Sequence, residues 1–279
     1  MATAGSKGVS FRSAVAFPIL AALAVGVFAD RTMNSGPSLD DLWASAPAAA
    51  HVWLPSDVAN LPEPARRYLT HAIAPGTPLA SAVRLRMHGK IKLKGWLPFT
   101  AEQIIRSDGE MLWQATVRQK GIPIRGFDRL VSGEGAMRWK LLGIVPVMTA
   151  SGPDITRSTV GRVLAESVWP AALSARGVSW TAADASHPTA TTTLFGHAAR
   201  LELTVGETGR LQSIKTSRWG NPEGGEFRSV DFGAVAEAEA TFHGYPIPTR
   251  LRGGWHFVHG QFESEGEFFR VSLDDAVFR

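Results

Sequence analysis

The sequence predicts a mainly β (α+β) protein in which a curled antiparallel sheet of about ten or eleven strands forms a half-barrel with two helices. Three features predict this fold. Many segments alternate apolar and polar residues with a period of two, turn-forming residues separate these segments, and one central stretch has helical periodicity. Because only one face of each strand is apolar, the sheet is expected to curl rather than leave that face in water.

The clearest strand runs from Val83 to Leu93, where apolar residues alternate with basic ones. Like charges this close together need acidic neighbours on adjacent strands, or else an anionic membrane surface outside the protein. Both alternatives remain open for the four positions Arg84, Arg86, Lys90 and Lys92. Similar alternation recurs over residues 110–118, 137–141, 201–205, 237–243, 255–257 and 269–273.

Two segments carry helical periodicity instead. Residues 61–73 place apolar side chains on one stripe and end at Pro75-Gly76. Residues 153–176 do the same between the two groups of strands, and Arg176-Gly177 provides a C-terminal stop. We expect the central helix to lie across the concave face of the sheet and cover it.

The N-terminus has the pattern of an export signal. Lys7 and Arg12 precede an uncharged stretch over residues 14–29, and Val27-Phe28-Ala29 suits cleavage before Asp30. Residues 1–29 are therefore predicted to be a cleaved signal peptide or an uncleaved signal anchor. In the second case residues 14–29 would anchor the protein in the membrane. Residues 30–55, rich in Ala, Pro and Ser, are interpreted as a linker, and residues 56–279 as a single half-barrel domain. The predicted location is the periplasm or another extracytoplasmic part of the cell envelope.

Composition excludes several classes of function. The 29 Lys and Arg residues against 25 Asp and Glu give a net charge of +4, and no basic run or nucleic-acid motif accompanies them. The chain has no cysteine, which excludes disulfides, thiolate metal sites, a cysteine nucleophile and a lipobox. The eight histidines lack metal-ligand spacing, and no phosphate or dinucleotide loop is present. We therefore expect no metal, no cofactor and no nucleic-acid partner.

The candidate ligand-binding residues fall into two groups. Large or adaptable side chains are expected on the concave face, which is either filled or holds an apolar pocket. These residues are Met87, Trp113, Met137, Trp139, Trp219 and Trp255. The second group is Arg157, Arg162 and Glu166 on the central helix. It predicts either an arginine clamp for a carboxylate or phosphate, or an ordinary i, i+4 ion pair on a solvated helix face.

The central helix also carries a recognisable pattern. Gly152-Pro153-Asp154, Arg157-Ser158, Gly161-Arg162, Glu166 and Trp169-Pro170 resemble an uncharacterised bacterial family of unknown function, over roughly residues 56–279. The resemblance implies no known activity and supplies no catalytic residues. In element order alone, the chain is similar to the outer-membrane lipoprotein carrier and related mycobacterial lipid-binding lipoproteins. That similarity implies a helix-covered apolar cavity for acyl chains, although the lipobox cysteine of the lipoproteins is missing.

Together these features favour an exported, non-enzymatic half-barrel that binds a lipid or another apolar ligand. Two alternatives remain. One is an enzyme using Arg157, Arg162 and Glu166, with Asp128 or Asp154 near a cleft, and perturbed carboxylate pKa values would support it. The other is a structural interaction module of the envelope with a filled core.

Overall fold

A single antiparallel sheet dominates the structure of the chain, a computed structural model that describes residues 36–169, 177–258 and 261–279. The described residues form three α-helices, α1 (Leu39–Ser45), α2 (Glu63–Ala72) and α3 (Pro153–Glu166), with a 3-10 turn at Pro55–Val58 and a π-helical turn at Phe262–Gly266. The thirteen described strands are β1 (Ala82–Lys92), β2 (Trp96–Arg106), β3 (Met111–Gln119), β4 (Ile122–Val131), β5 (Glu134–Leu141), β6 (Val145–Ser151), β7 (Ser179–Ala182), β8 (Pro188–Leu194), β9 (His197–Val205), β10 (Leu211–Gly220), β11 (Arg228–Phe242), β12 (Tyr245–Trp255) and β13 (Glu267–Phe278).

The strand order is β6-β5-β4-β3-β2-β1-β13-β12-β11-β10-β9-β8-β7. The sheet is not closed, because its edge strands β6 and β7 do not pair with each other, and α3 lies between them in the chain. The predicted mainly β half-barrel is confirmed. Six strands precede α3 and seven follow it, so the sheet is slightly larger than the expected ten or eleven strands.

The sheet curls far enough to bring distant turns together. The ring of Phe195, in the β8–β9 turn, lies 3.2 Å from the point where a side chain would begin at Gly109, in the β2–β3 turn. The same ring lies 3.2 Å from the equivalent point at Gly133, in the β4–β5 turn. Glycine at both turns therefore leaves room for this contact between the two halves of the sheet.

The helix α3 lies on the concave face, as predicted from its apolar stripe. It contacts β4, β5 and β6 on one side and β9 and β10 on the other. Val160, Val163 and Leu164 are buried against the sheet. The α-helix ends at Glu166, and the last part of the expected helix, residues 170–176, lies outside the described residues.

The helix α2 follows the predicted segment closely and buries Tyr68, Leu69 and Ala72 in the main core. The helix α1 lies within the segment interpreted as a linker. Ser38 caps it through reciprocal hydrogen bonds with Asp41, which satisfy backbone donors at its first turn. Its residues Leu39 and Leu42 pack on the convex face of the sheet against Ile104 and Leu112.

No helix within residues 36–169, 177–258 and 261–279 is long and apolar enough to cross a membrane. The predicted signal segment, residues 1–29, lies outside the described residues.

Gly135 sets the distance between α3 and β5. A Cβ atom there would lie 2.5 Å from the Cα atom of Thr156, and the Gly135 N–H donates a 2.9 Å hydrogen bond to the Thr156 hydroxyl. We expect Gly135→Ala to lower the free energy of unfolding by about 1–3 kcal/mol, because α3 must move away from the sheet. Urea denaturation measures this change.

Gly95 provides the matched control for this substitution. No atom lies within 4 Å of the position that its Cβ would take. We expect Gly95→Ala to change the free energy of unfolding by less than about 0.5 kcal/mol. Equal effects of the two substitutions would show that the distance between α3 and β5 is not what makes Gly135 necessary.

Candidate functional site

The helix α3 turns a polar cluster toward the sheet. Arg162 donates a 2.7 Å hydrogen bond from Nη1 to Asp128 on β4 and a 2.9 Å hydrogen bond from Nε to Glu166 on its own helix. Gln103 donates to the other oxygen of Glu166 at 2.7 Å, and the indole N–H of Trp139 donates to Asp128 at 3.2 Å. The side chains of Arg162, Asp128 and Glu166 are only 15%, 18% and 14% exposed.

The electrostatics of this cluster are those of a buried ion-pair network. Burial raises the pKa of Asp128, although the charge of Arg162 acts in the opposite direction. For Arg162, burial alone would lower the pKa, but Glu166 and Asp128 together raise it. Arg162 is already shared by two carboxylates, so the predicted clamp has no free arginine at this position. The alternative of a solvated surface pair does not describe it either, because the pair faces the sheet.

Seven aromatic rings form a continuous layer on the concave face, which we call the aromatic belt. Neighbouring ring centroids lie 5.2–6.4 Å apart along it. Its members are Trp139, Trp113, Phe99, Phe269, Phe268, Trp255 and Phe232. The three tryptophans of the belt were predicted ligand-binding residues, and each is at most 5% exposed. The belt therefore acts as a packed wall under α3.

The two predicted methionines lie on the same concave side as the belt. Met87 is 2% exposed in the main core, and Met137 packs partly buried against that core. The burial of these two methionines fits ordinary core packing as well as it fits a ligand-binding role.

Arg218 on β10 is a functional candidate that sequence reasoning missed. Its Nε–H donates to the carbonyl oxygen of Ser158 in α3 at 3.1 Å, and its guanidinium lies over Phe232 and Trp255. Burial first, and then the charge of Arg162, lower the pKa of Arg218 to about 10. Because that pKa is well above 7, Arg218 keeps its charge at neutral pH.

The remaining predicted residues, Arg157 and Trp219, lie together at the exposed start of α3. The Arg157 guanidinium sits 3.8 Å from the centroid of the Trp219 ring. The Trp219 indole N–H donates a 2.9 Å hydrogen bond to Asp154. Trp219 thus contacts the start of α3 and is not one of the seven rings of the aromatic belt.

Arg157 and Trp219 line an open cleft between α3 and strands β9 and β10, which we call the α3 cleft. Its volume is ≈ 720 Å³, and Val160, Gly161, Leu164 and Ala199 form part of its walls. A Cβ atom at Gly161 would lie 2.9 Å from Arg218 Cγ, so this glycine allows the Arg218 side chain to pass beneath α3. The structure thus separates Arg157 from Arg162 and Glu166, and it is Arg157 that faces open space.

The basic residues of β1 have two different environments. Arg84 pairs with Glu102 and with Asp40, whereas Arg86 pairs with Asp275 on β13. Acidic neighbours thus compensate these two arginines. No carboxylate of the described chain lies within 4 Å of Lys90 or Lys92 (the ion pairs are those of residues 36–169, 177–258 and 261–279).

In the part of the chain that the structure describes, no group of three or more His, Asp or Glu side chains is arranged to hold a metal ion.

Comparison with protein families identifies the chain. The model of a family of unknown function, DUF6544, matches residues 52–264, which include α2, α3 and most of the sheet. The chain belongs to the DUF6544 family. The resemblance expected from the α3 pattern is therefore confirmed, and the matched region contains both the polar cluster and the α3 cleft of this DUF6544 protein.

No curated protein matches this DUF6544 sequence. Among solved structures, it is similar to a putative outer membrane lipoprotein-sorting protein domain from Vibrio parahaemolyticus, with a TM-score of 0.39, 6% identity, and coverage of 71% of this chain and 86% of that one. It is also similar to a LolA superfamily protein from Nitrosomonas europaea, with a TM-score of 0.38, 8% identity, and coverage of 77% and 92%.

Proposed function

We propose that this chain is an exported, non-enzymatic binding protein of the cell envelope that holds an anionic amphiphile in the α3 cleft. The ligand would carry a carboxylate or phosphate head group at Arg157 and an apolar part along Val160 and Leu164. The N-terminal sequence pattern supports export, and the geometry of the cleft supports the class of ligand.

The size and walls of the α3 cleft fit an amphiphile. Its ≈ 720 Å³ falls within the range of about 300–1,000 Å³ that is usual for small-molecule sites. Trp219 contributes a partly exposed ring to its lining, Val160 and Leu164 contribute side chains that are largely buried, at 3% and 1% exposed, and Gly161 and Ala199 are small. An acyl chain needs this kind of surface, since burial of its methylene groups supplies most of the binding free energy.

The observation that carries the proposal is the state of Arg157. This residue is exposed, its guanidinium lies on the Trp219 ring, and no carboxylate of the described residues lies within 4 Å of it. The other bases of the cleft, Arg200 and Lys215, both pair with Glu202. Arg157 is therefore oriented by its stacking on Trp219 while its N–H donors remain available for an anionic head group.

Arg218 adds a second positive charge close to this site. Its Cγ lies 2.9 Å from the position that a Cβ atom at the cleft residue Gly161 would take, and it keeps its charge at neutral pH. Two nearby arginines, of which one is buried, favour an anion over a neutral head group.

The enzyme alternative receives less support from the same geometry. Arg157 does not lie with Arg162 and Glu166, and Arg162 already donates to two carboxylates. The raised pKa of Asp128 is of the kind expected for an acid–base catalyst, but Asp128 accepts hydrogen bonds from Arg162 and Trp139 and does not line the α3 cleft.

The proposal is tested with two probes that differ only in the head group, dodecanoate and dodecanol, each titrated into the full-length chain and followed by tryptophan fluorescence. We expect Arg157→Gln to weaken dodecanoate binding by about 10- to 100-fold, as expected for loss of a charge-assisted hydrogen bond. We expect the same substitution to leave dodecanol binding unchanged.

Arg228→Gln is the matched control, because Arg228 is an arginine outside the cleft that pairs with Glu223. It should bind both probes as the native chain does. A native chain that binds neither probe, or an Arg157→Gln variant that binds dodecanoate normally, would show that the α3 cleft does not hold an anionic amphiphile.

A further inference from the structure

Two neighbouring turns expose aliphatic side chains at one corner of the sheet. The β3–β4 and β5–β6 turns are joined by a 2.9 Å hydrogen bond from the Leu142 N–H to the Pro123 carbonyl. Four large apolar residues of this corner are strongly exposed, at 48%, 55%, 76% and 54%. They are Ile122, Leu142, Ile144 and Val145, which we call the hairpin corner.

Leu142 is unfavourable at its position for two independent reasons. Its φ of +53° lies in the left-handed region, where non-glycine residues are uncommon and Asn or Asp is favoured. Its side chain also points into water. The equivalent positions of other Xaa-Gly turns carry polar residues, Ser132 and His243, or an aromatic ring that packs against other turns, Phe195. Local conflicts of this kind concentrate at functional surfaces.

The charge around the hairpin corner has one sign. Residues 117–125 and 138–147 contain five Lys or Arg residues and no Asp or Glu. Arg125 and Lys140 lie directly opposite each other in the β4–β5 register, a like-charge pairing that destabilises a sheet. No described carboxylate lies within 4 Å of either residue. Both line a groove of ≈ 1090 Å³ on the convex face, together with Arg129 and Arg138, and bases outnumber the two carboxylates of the lining, Glu102 and Asp274.

We propose that the hairpin corner docks on an anionic lipid bilayer, with its aliphatic side chains in the interfacial region and the adjacent basic groove on the lipid phosphates. Aliphatic tips next to Arg125 and Lys140, which have no described carboxylate within 4 Å, match the chemistry of a negatively charged membrane surface. Protein interfaces, in contrast, concentrate aromatic anchors, and the hairpin corner has none. This inference does not depend on the ligand of the α3 cleft.

Docking is tested by placing a fluorophore at single positions of the full-length chain. Because the chain has no cysteine, Leu142→Cys or Ile144→Cys can be labelled selectively with a nitrobenzoxadiazole dye. Leu54→Cys is the control, since Leu54 is similarly exposed at 48% but lies outside the corner. Dye emission is then measured with phosphatidylcholine vesicles that contain or lack phosphatidylglycerol. The dye reports insertion locally, even where the N-terminal segment also contacts the vesicles.

We expect a blue shift at Leu142→Cys and Ile144→Cys with the anionic vesicles, and none at Leu54→Cys. Replacing Lys120, Arg125 and Lys140 by glutamine should reduce the apparent partition coefficient by up to about fivefold per removed charge. Equal shifts with neutral and anionic vesicles, or equal shifts at all three labels, would overturn the proposal. A shift that rises with protein concentration in the absence of vesicles would also overturn it, in favour of contact with a second copy of the chain.

Discussion

Replacing Arg162 by methionine is expected to lower the free energy of unfolding by about 3–5 kcal/mol. The substitution removes the cation between Asp128 and Glu166, whose side chains are 18% and 14% exposed. Two buried carboxylates then face each other without a compensating charge, and this costs more than the arginine contributes when the network is intact. Urea denaturation at neutral pH measures the difference.

The loss in stability should shrink as the pH falls. Burial already raises the pKa of Asp128, and Arg162 is the strongest influence that lowers it. Without Arg162 the folded-state pKa rises further above the unfolded-state value, so the folded form of the variant binds more protons than the unfolded form. Its stability therefore increases as the pH decreases, and at about pH 5 the variant should be closer to the native chain than at neutral pH.

Arg157→Met is the control for the loss of an arginine from the same helix. Arg157 is exposed and contacts the Trp219 ring, an interaction worth about 0.5–1 kcal/mol at exposed sites. If Arg162→Met were no more destabilising than Arg157→Met, the buried network would not hold α3 on the sheet. The triple variant Arg162→Met, Asp128→Asn, Glu166→Gln should recover part of the lost stability, because it removes the isolated charges.

The second large effect is expected at the centre of the aromatic belt. Trp113 is 2% exposed and contacts the rings of Trp139, Phe99 and Phe269, while Arg162 lies 4.8 Å from its ring centroid. We expect Trp113→Ala to lower the free energy of unfolding by about 3–5 kcal/mol through lost burial and the cavity it leaves.

Trp219→Ala is the matched comparison, since Trp219 is partly exposed and lies outside the belt. Its loss should cost clearly less stability than the loss of Trp113, but it should weaken dodecanoate binding, because it removes the surface that orients Arg157. The two substitutions therefore separate a packing role from a binding role. Equal stability losses, with unchanged dodecanoate binding in Trp219→Ala, would contradict this division.

The fold was predictable where one physical signal dominated. The alternation from Val83 to Leu93 indicated a strand with one buried face, and β1 covers Ala82–Lys92. The apolar stripe of the central helix correctly placed α3 on the concave face. The short strand β7 and the helix α1 were not anticipated. A four-residue strand and a seven-residue helix are too short for periodicity to identify them.

The sequence spacing of Arg162 and Glu166 could not predict whether their ion pair is buried or solvated. Arg162 and Glu166 are i, i+4 neighbours, and this spacing looks the same on a solvated helix face as on one turned toward a sheet. Its partners Asp128 and Gln103 come from β4 and β2, strands that only the tertiary fold brings to α3. Asp128 was considered from the sequence as a residue near a cleft, whereas Gln103 gave no signal.

The strand β10 shows why hydrophobicity alone did not identify Arg218. Trp219 was predicted to face inward because of its large apolar ring, and its neighbour Arg218 was not considered. Ile214 and Thr216 are buried, and the period of two places Arg218 on their side. An arginine stacked on aromatic rings and hydrogen-bonded to a helix carbonyl is stable there, but this environment becomes evident only once α3 and the aromatic belt are in place.

The pairing of the first strand with the last has a consequence for how the chain reaches this fold. Strands β2 to β6 and strands β7 to β12 are each linked by short connections, so each half can assemble from local contacts. The ladder between β1 and β13, which joins Val83 to Phe278, closes the middle of the sheet and requires the two ends of the domain to meet. Loop-closure entropy makes such long-range pairing slow. Before β13 has been synthesised, the chain therefore has two separate half-sheets with unpaired edges, and the sheet is completed only when β13 pairs with β1.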